Sequence, residues 1–202
     1  MARCYSACVR HRHPPFSCDT LPDVWLITDA RMDDRLEAAI DRLPRGSGVV
    51  FRHYHLPAAE RRARFRQIAR RARQRGHRVV LSGSAGQAWR WNAGGAYGGP
   101  CALAKGPALL RLVTAHSLRE IGRANRLRAD AVLLSPVFPT RSHPGAKTLG
   151  VARFRLLASR ALVPVIALGG MSRQRAAALK VRRWAAIESL AQPRVRPFPI
   201  HS

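Results

Sequence analysis

Two consecutive glycines, in the segment Gly169-Gly170-Met171-Ser172, come directly after a short apolar run at residues 163–168. The apolar run predicts a buried strand, and Ser172 is a residue type that begins helices. Glycines between a strand and a helix allow positive φ and let backbone N–H groups approach an anion with no Cβ in the way. The N-terminus of the following helix adds partial positive charge. This segment therefore predicts a binding site for a phosphate group, with a tight turn that binds no ligand as the alternative.

Hydroxyl and guanidinium groups stand at the ends of three other apolar runs. Arg52 and Thr114 each end such a run, and Thr140 follows a third one in a Pro-Thr pair. Hydroxyls and cations are the side-chain groups that bind oxyanions best. Arg52 is therefore a candidate to face a phosphate site, with a surface arginine as the alternative, and the loop of Thr140 suits an oxyanion ligand.

Two histidines near these segments have ordinary explanations. Ser117 and Glu120 have the spacing of a capping box, so a helix begins there and His116 is expected to pack beside its first turn. His143 can titrate near neutral pH, but it precedes a proline in a predicted exposed loop. We interpret both as structural or surface residues.

The elements that must position these side chains alternate between strand-length and helix-length patterns. The predicted strands cover residues 24–29, 49–52, 78–82, 95–97, 111–114, 131–135, 163–168 and 184–187. Asp33 is predicted to cap the first helix, which runs to residue 43. Alternation of this kind favours a parallel sheet. Eight units match a small, single-domain α/β fold, the (β/α)8 TIM barrel, with a doubly wound open sheet as the alternative.

Three segments divide the chain. Residues 1–22 are basic, rich in proline, histidine and cysteine, and without periodicity, so we expect a disordered extension. Residues 23–190 form the predicted barrel, and residues 191–202 a C-terminal tail. The extension holds three cysteines and two histidines whose spacing fits no standard zinc module. They are Cys4, Cys8, His11, His13 and Cys18.

The charge of the chain is strongly basic, with a net charge of +25. Only three of its 36 basic residues are lysines, and residues 61–78 hold the densest group of arginines. Phe65, Ile68, Ala69 and Ala72 recur through that group at helical spacing, so one stripe is expected to face a core and the arginines to be solvated. Binding of a polyanion by this helix is the competing interpretation.

Membrane spans and secretion signals are not indicated by the sequence. No apolar run approaches the ~20 residues that cross a bilayer, and the N-terminus lacks the apolar core of a signal peptide. We expect a cytoplasmic protein with no membrane partner. The oligomeric state is left open.

Residues 111–171 resemble the thiamine phosphate synthase / TenI superfamily. The resemblance rests on Thr114-Ala115-His116-Ser117, on the segment 133–145 that contains Thr140, and on Val163 through Met171 with its two glycines. It implies a TIM barrel and small phosphorylated substrates, with nucleic acid not a partner. The implied activity joins hydroxymethylpyrimidine pyrophosphate to thiazole phosphate and releases pyrophosphate.

The resemblance also implies residue roles. Gly169, Gly170 and Ser189 match the family positions that hold the thiazole phosphate, and Thr140 matches a threonine that contacts substrate phosphates. Arg52 and Thr114 match the pyrophosphate-binding arginine and hydroxyl. A catalytic acid or base is not identified.

Several family positions are occupied by other residue types. The family motif at the second strand is Gln-x-Arg-x-Lys, and this chain has Val50 and Tyr54 on either side of Arg52. The family also places a lysine shortly after the threonine at position 140. Arg141 and Lys147 are the nearest basic residues, and neither is a clean replacement.

The family's metal ligands are missing as well. Mg²⁺ is implied by the resemblance, but Ser82 and Gly83 stand where the family has Asn-Asp after the third strand. Residues 92–110, where the second metal-binding aspartate belongs, contain no carboxylate. Mg²⁺ is usually held by one or two carboxylates together with substrate phosphates. No metal-binding residue is therefore assigned.

Two other functions within the superfamily stay open. A TenI-like thiazole tautomerase needs acid and base groups but no pyrophosphate chemistry, and Pro136 stands where that branch has a histidine. A non-catalytic relative that binds a phosphate ligand is the second alternative, since fold does not fix function.

Overall fold

Eight short parallel strands form the centre of the molecule in a computed structural model that describes residues 21–141, 145 and 147–191. The strands are β1 (Val24–Ile27), β2 (Gly48–Phe51), β3 (Arg78–Ser82), β4 (Gly95–Gly98), β5 (Leu110–Ala115), β6 (Ala131–Leu134), β7 (Val165–Leu168) and β8 (Trp184–Ala186). Each strand pairs in parallel with the next along the chain, and β1 also pairs with β8. This closure confirms the predicted TIM barrel and excludes the open sheet.

Helices follow the strands on the outside of the barrel. They are α1 (Leu36–Arg42), α2 (Ala58–Gln74), α3 (Ala85–Arg90), α4 (Leu118–Leu127), α5 (Gly150–Ala158), α6 (Arg173–Leu179) and α7 (Glu188–Ala191), with a 3₁₀ helix at Ala30–Arg35 before α1. Among the described residues no helix is both long and apolar enough to span a bilayer.

Alternation of side chains along the strands produces two apolar layers. One layer fills the barrel interior and includes Trp25, Val50, Val80, Leu112 and Leu133. The other layer lies between the strands and the helices, and the stripe predicted along α2 is buried in it: Phe65, Ile68, Ala69 and Ala72. Burial of this stripe explains why so basic a helix forms and where it docks.

The start of the first helical segment differs from the prediction. Asp29, not Asp33, is the capping residue, since its side chain accepts a hydrogen bond from the Arg31 amide at the start of the 3₁₀ helix. The Asp33 carboxylate instead accepts hydrogen bonds from His53 and Arg64. Partners so distant in the sequence cannot be read from a local capping pattern.

The other predicted caps are confirmed. The Ser117 hydroxyl accepts from the Glu120 amide, and the Ser172 hydroxyl accepts from the Arg175 amide. The Glu120 carboxylate reaches back to the His116 amide, at a distance of 2.6 Å, one residue before the position that a standard capping box uses.

The two chain ends lie largely outside the described residues. The cysteines and histidines of the predicted extension belong to that part. His143, between β6 and α5 in the sequence, also lies outside the described residues. Leu21 and Pro22 are described, and both are buried. Leu21 packs with the interior layer, and the Pro22 carbonyl accepts a hydrogen bond from the Trp25 indole at 2.8 Å.

Candidate active site at the carboxyl end of the barrel

The Gly169-Gly170 turn lies at the carboxyl end of the strands, which we call the mouth of the barrel. Both glycines have positive φ, 96° and 59°. A Cβ on Gly169 would stand 2.6 Å from the Cα of Pro136, and a Cβ on Gly170 would stand 2.4 Å from the Pro139 carbonyl. Only glycine therefore permits this turn, because both the dihedral angles and the close approach exclude a side chain.

Hydrogen bonds fasten the same turn to the loop after β6. The Val137 amide donates to the Leu168 carbonyl at 2.9 Å, and the Phe138 amide donates to the Gly169 carbonyl at 3.1 Å. Thr140 follows within this loop. The structure therefore brings Thr140 and the two glycines to neighbouring loops, as the sequence predicts.

Ser189 connects the turn to the loop after β8. Its hydroxyl donates to the Met171 carbonyl at 2.8 Å. The adjacent Glu188 carboxylate pairs with Arg31 at 3.1 Å and lies 3.9 Å from Arg141. The loops after β6 and β8 thus flank the glycine turn on its two sides, and arginines neutralise the carboxylate that lies beside it.

Arg175 is a part of this region that sequence reasoning missed. Its guanidinium donates to the Gly170 carbonyl and lies 5.1 Å from the centre of the Phe138 ring. The residue lies in the first turn of α6, three residues after the cap at Ser172. An arginine in the first helical turn after a glycine turn could have indicated this contact, because first-turn side chains can reach back over the preceding loop.

Arg52 lies across the mouth from the glycine turn, after β2. Val50 belongs to the interior layer and Phe51 to the outer one, so alternation turns Arg52 inward. Its guanidinium lies 5.6 Å from the centre of the Tyr54 ring. Within the described part of the chain no carboxylate forms an ion pair with it.

Hydroxyl groups continue the inner face of the mouth from β3 to β6. Ser82, Thr114 and Ser135 each come two residues after a member of the interior layer, so alternation turns them inward. Tyr97 itself belongs to the interior layer. We call these four residues the hydroxyl arc. Burial raises the pKa of Tyr97 to about 12, while the charge of Arg52 opposes this shift. The phenol is therefore protonated at neutral pH and can donate a hydrogen bond.

His116 lies at the outer edge of the arc. Its Nδ1 is 2.7 Å from the Ser135 carbonyl oxygen, and its side chain is exposed. The ring is thus held against the loop after β6, which differs from the predicted packing beside the α4 cap.

Arg61, in the first turn of α2, is a buried cation that sequence reasoning also missed. Its Nε donates to the Arg52 carbonyl at 2.7 Å, and its terminal nitrogen donates to the Ser82 carbonyl at 2.6 Å. Three aromatic rings surround the guanidinium, with centres 5.1–5.9 Å away: Tyr54, Trp91 and Phe51. Arg61 therefore ties the ends of β2 and β3 together and fixes a positive charge there.

A buried chain of hydrogen bonds supports the backbone at Arg52. The Thr28 hydroxyl accepts from the Arg52 amide at 2.9 Å and lies 2.9 Å from Nδ1 of His53. Nε2 of His53 lies 2.9 Å from the Asp33 carboxylate, which Arg64 also binds at 2.7 Å. Since the Thr28 oxygen already accepts, its proton can go to Nδ1, and His53 then donates from Nε2 to Asp33.

Two buried histidines, His53 of this hydrogen-bond chain and His77, predict how stability depends on pH. Burial lowers the pKa of His53, although the hydrogen bond to Asp33 opposes this shift, and burial also lowers the pKa of His77. A histidine held neutral in the fold stabilises it above the unfolded pKa of 6.5. That contribution is lost as pH falls from 6.5 through the lowered folded pKa.

A second, more acidic stage comes from carboxylates. The hydrogen bond from Arg64 lowers the pKa of Glu37, and the one from Arg71 lowers that of Asp41. Their contribution persists above the ordinary values of 4.5 and 3.8 and is lost below them. Thermal melts should therefore show two separate falls in Tm on acidification. A His53→Gln variant should reduce the first fall and leave the second, and a Tm that is constant between about pH 8 and about pH 5 would contradict the assignment.

Several arginines of α2, and Arg75 directly after it, are engaged within the fold, while Arg62, Arg66 and Arg70 are exposed. Arg64 binds Asp33 and Glu37, and both Arg71 and Arg75 donate to Asp41, at 2.8 and 3.1 Å. Pairing of this kind reduces the charge that α2 can present to a polyanion. It favours the interpretation of a docked helix with a solvated outer face.

The end of β3, where the family's carboxylate ligand is missing, does not fit Mg²⁺. Among residues 21–141, 145 and 147–191, no group of three or more histidines, cysteines or carboxylates is placed to hold a metal ion. The Ser82 and Tyr54 hydroxyls are hydrogen-bonded to each other, and the Arg61 guanidinium binds the carbonyl of Ser82. A cation at the very strand end where the carboxylate ligands are missing opposes a divalent ion.

Comparison with known proteins agrees with this fold. The family model described as thiamine monophosphate synthase (TMP-TENI) matches residues 24–190. A 59-residue segment is 39% identical to thiamine-phosphate synthase 2 of Aquifex aeolicus, a name given to that protein provisionally. This segment covers 29% of the chain and only 32% of that relative.

Solved structures share the barrel at low sequence identity. Thiamine phosphate pyrophosphorylase from Pyrococcus furiosus superposes with a TM-score of 0.72 at 21% identity, covering 87% of this chain and 89% of that one. The enzyme of the same name from Bacteroides thetaiotaomicron gives 0.58 at 16% identity, covering 83% of each.

An aldolase/citrate lyase family protein from Burkholderia cenocepacia gives a TM-score of 0.59 at 13% identity, covering 85% of this chain and 90% of that one. Such likenesses show the fold alone, because a barrel of another family superposes about as well as the Bacteroides enzyme does. The family model is more specific, since it spans the barrel from its first strand to its last helix. On that match, the chain belongs to the thiamine monophosphate synthase family.

Proposed function

We propose that this protein is a transferase of the thiamine phosphate synthase type. It joins hydroxymethylpyrimidine pyrophosphate to thiazole phosphate and releases pyrophosphate. The observation that carries the proposal is the glycine turn at Gly169 and Gly170, flanked at one mouth by Thr140 and Ser189 and faced by Arg52. The side with the glycine turn suits a phosphate ester, and the side with Arg52 suits a pyrophosphate.

In the proposed reaction the bond between the pyrimidine methylene carbon and the pyrophosphate oxygen breaks. The thiazole nitrogen then forms a new bond to that carbon, and the bond electrons leave with pyrophosphate. The protein's own residues act by position and charge. The glycine turn orients the thiazole through its phosphate, while Arg52 and the hydroxyl arc, which includes Thr114, donate to the departing pyrophosphate.

The assay supplies both substrates to the purified full chain and measures thiamine phosphate by chromatography. We expect product that requires both substrates. Replacing Arg52 with methionine should lower kcat/KM by about tenfold to a hundredfold, because it removes a charged donor to the leaving group. The exposed Arg62→Met variant on α2 is the matched control and should retain activity.

The second candidate is a relative that binds a phosphate ester without catalysis. The absence of carboxylates from the end of β3 and from residues 92–110 favours it, since the family's usual metal ligands follow the third and fourth strands. Calorimetric binding of thiazole phosphate together with no product from folded protein would establish this function in place of the transferase.

A further inference from the structure

The ends of β2, β3 and β4 hold two guanidinium groups and three hydroxyls where a divalent cation would require carboxylates. We propose that this side of the mouth binds a diphosphate group directly, without a divalent cation. In this assignment Arg52 and the hydroxyls of Tyr54, Ser82 and Tyr97 contact the anion, and Arg61 acts through its buried charge. The proposal rests on the proposed function for the identity of the ligand, but not for the chemistry of the site.

The first support for this assignment is the charge of the two guanidinium groups. Arg61 lies within hydrogen-bonding distance of the Arg52 and Ser82 carbonyls and is only 8% exposed, so solvent screens its charge weakly. Alternation turns Arg52 inward, and among residues 21–141, 145 and 147–191 no carboxylate forms an ion pair with it. The pKa of Asp29 is lowered mainly by the hydrogen bond from Arg31 and to a smaller extent by the charge of Arg52. Together Arg52 and Arg61 supply the same formal charge as one Mg²⁺ ion, and the fixed guanidinium would repel such an ion.

The second support for the assignment is the hydrogen-bonding capacity of the hydroxyl groups. The Tyr54 and Ser82 hydroxyls are bonded to each other, so one of the two protons is used between them and the other can go to an anion. Register places Ser82 beside Tyr97 across the β3–β4 pair. The Tyr97 phenol is protonated and almost completely buried, so it can donate to an anion from a largely desolvated side chain. Donors of this kind suit an oxyanion and offer little to a metal ion.

The third support for the assignment is the position of the Tyr54 ring. The ring lies 5.6 Å from the Arg52 guanidinium and 5.1 Å from that of Arg61, so both cations contact the same ring. Cation–π contacts hold both groups in place with their charges close together. Two cations held near each other gain most from an anion that carries more than one charge, and a diphosphate meets that condition.

The test uses inorganic pyrophosphate as the probe and the full chain, by calorimetry at constant ionic strength. We expect binding in EDTA at least as tight as in Mg²⁺, because Mg²⁺ sequesters free pyrophosphate. Binding that requires Mg²⁺, or that becomes more than about tenfold tighter with it, would overturn the inference.

Variants separate this site from the general basic field of the chain. Arg52→Met should weaken pyrophosphate binding by about ten- to a hundredfold, and Tyr54→Phe, which keeps the ring, by a smaller factor. Arg62→Met removes an exposed charge from α2 and should change affinity less than about twofold. Equal losses in Arg52→Met and Arg62→Met would mean that net charge alone binds the anion, and the inference would fail.

Outcomes for the inference and the proposed function differ. Pyrophosphate bound in EDTA, with no thiamine phosphate formed, would support the inference and reject the transferase. Product that forms only with Mg²⁺, with pyrophosphate binding that also needs the ion, would support the transferase and reject the inference.

Discussion

Replacing Gly169 with alanine should lower the free energy of unfolding by about 3–5 kcal/mol, and hence Tm by roughly 6–20 °C. Two costs add at this position. The backbone has φ of 96°, which a residue with a Cβ rarely adopts. The new Cβ would also meet Pro136 Cα at 2.6 Å and the Val137 amide at 3.1 Å, and both are backbone atoms that cannot rotate away.

Ligand binding should fall with stability in this variant. Movement of the turn shifts the backbone amides that we assign to the thiazole phosphate, so calorimetry at low temperature should show at least about tenfold weaker binding. Alanine is a cleaner substitution than aspartate, since aspartate would add charge repulsion to the same steric clash.

Other glycines of the chain provide matched controls. Gly76 also has positive φ, 74°, but a Cβ there meets nothing within 4 Å, so Gly76→Ala measures the conformational cost alone, about 1 kcal/mol. Gly86 lies in α3 with open space around it, and alanine should stabilise it by about 0.5–1 kcal/mol. If Gly169→Ala were no less stable than Gly76→Ala, the close approach to Pro136 would not constrain the turn.

Closure of the barrel could be predicted from the sequence because most strands are short apolar runs followed by a polar or glycine-rich turn, although the patterns of β4 and β8 are weak. Such runs are buried on both faces and need no knowledge of their neighbours. The glycine turn was predictable for a similar reason. Its chemistry is local, since a strand end, two glycines and a helix cap lie within a few residues of one another.

Contacts between distant segments could not be predicted in the same way. The chain of Thr28, His53, Asp33 and Arg64 joins four segments, and nothing in any one of them indicates the other three. Asp33 was assigned as a cap because a local pattern fitted it. The tertiary partners, which a local pattern omits, determine its role.

The burial of Arg61 could have been predicted from its position in the sequence. Arg61 precedes Phe65 by four residues, and therefore lies on the same face of α2 as the buried stripe. The many arginines of the helix appear equivalent by composition, so the helical spacing of this one carries the information. A charged residue on an apolar face predicts a buried hydrogen-bonded cation.

Replacing Arg61 with methionine should destabilise the protein by about 2–4 kcal/mol, which lowers Tm by roughly 4–16 °C. The Arg52 and Ser82 carbonyls would each lose a charged donor in a buried setting, at a cost of about 1.5–3 kcal/mol apiece. Part of that loss is offset, because burial lowers the pKa of Arg61 and removing the cation recovers its desolvation cost. Methionine keeps the length of the side chain and its contact with the three rings, so cavity formation contributes little.

Two companion variants identify which property of Arg61 matters. Arg61→Lys keeps the charge but cannot bind both carbonyls with fixed geometry, so it should recover only part of the stability. Arg62→Met on the exposed face of α2 should stay within about 0.5 kcal/mol of the original protein. A full recovery with lysine would assign the effect to charge. If Arg61→Met matched Arg62→Met in stability, desolvation would cancel the two hydrogen bonds, and the strand ends at β2 and β3 would be held by the sheet alone.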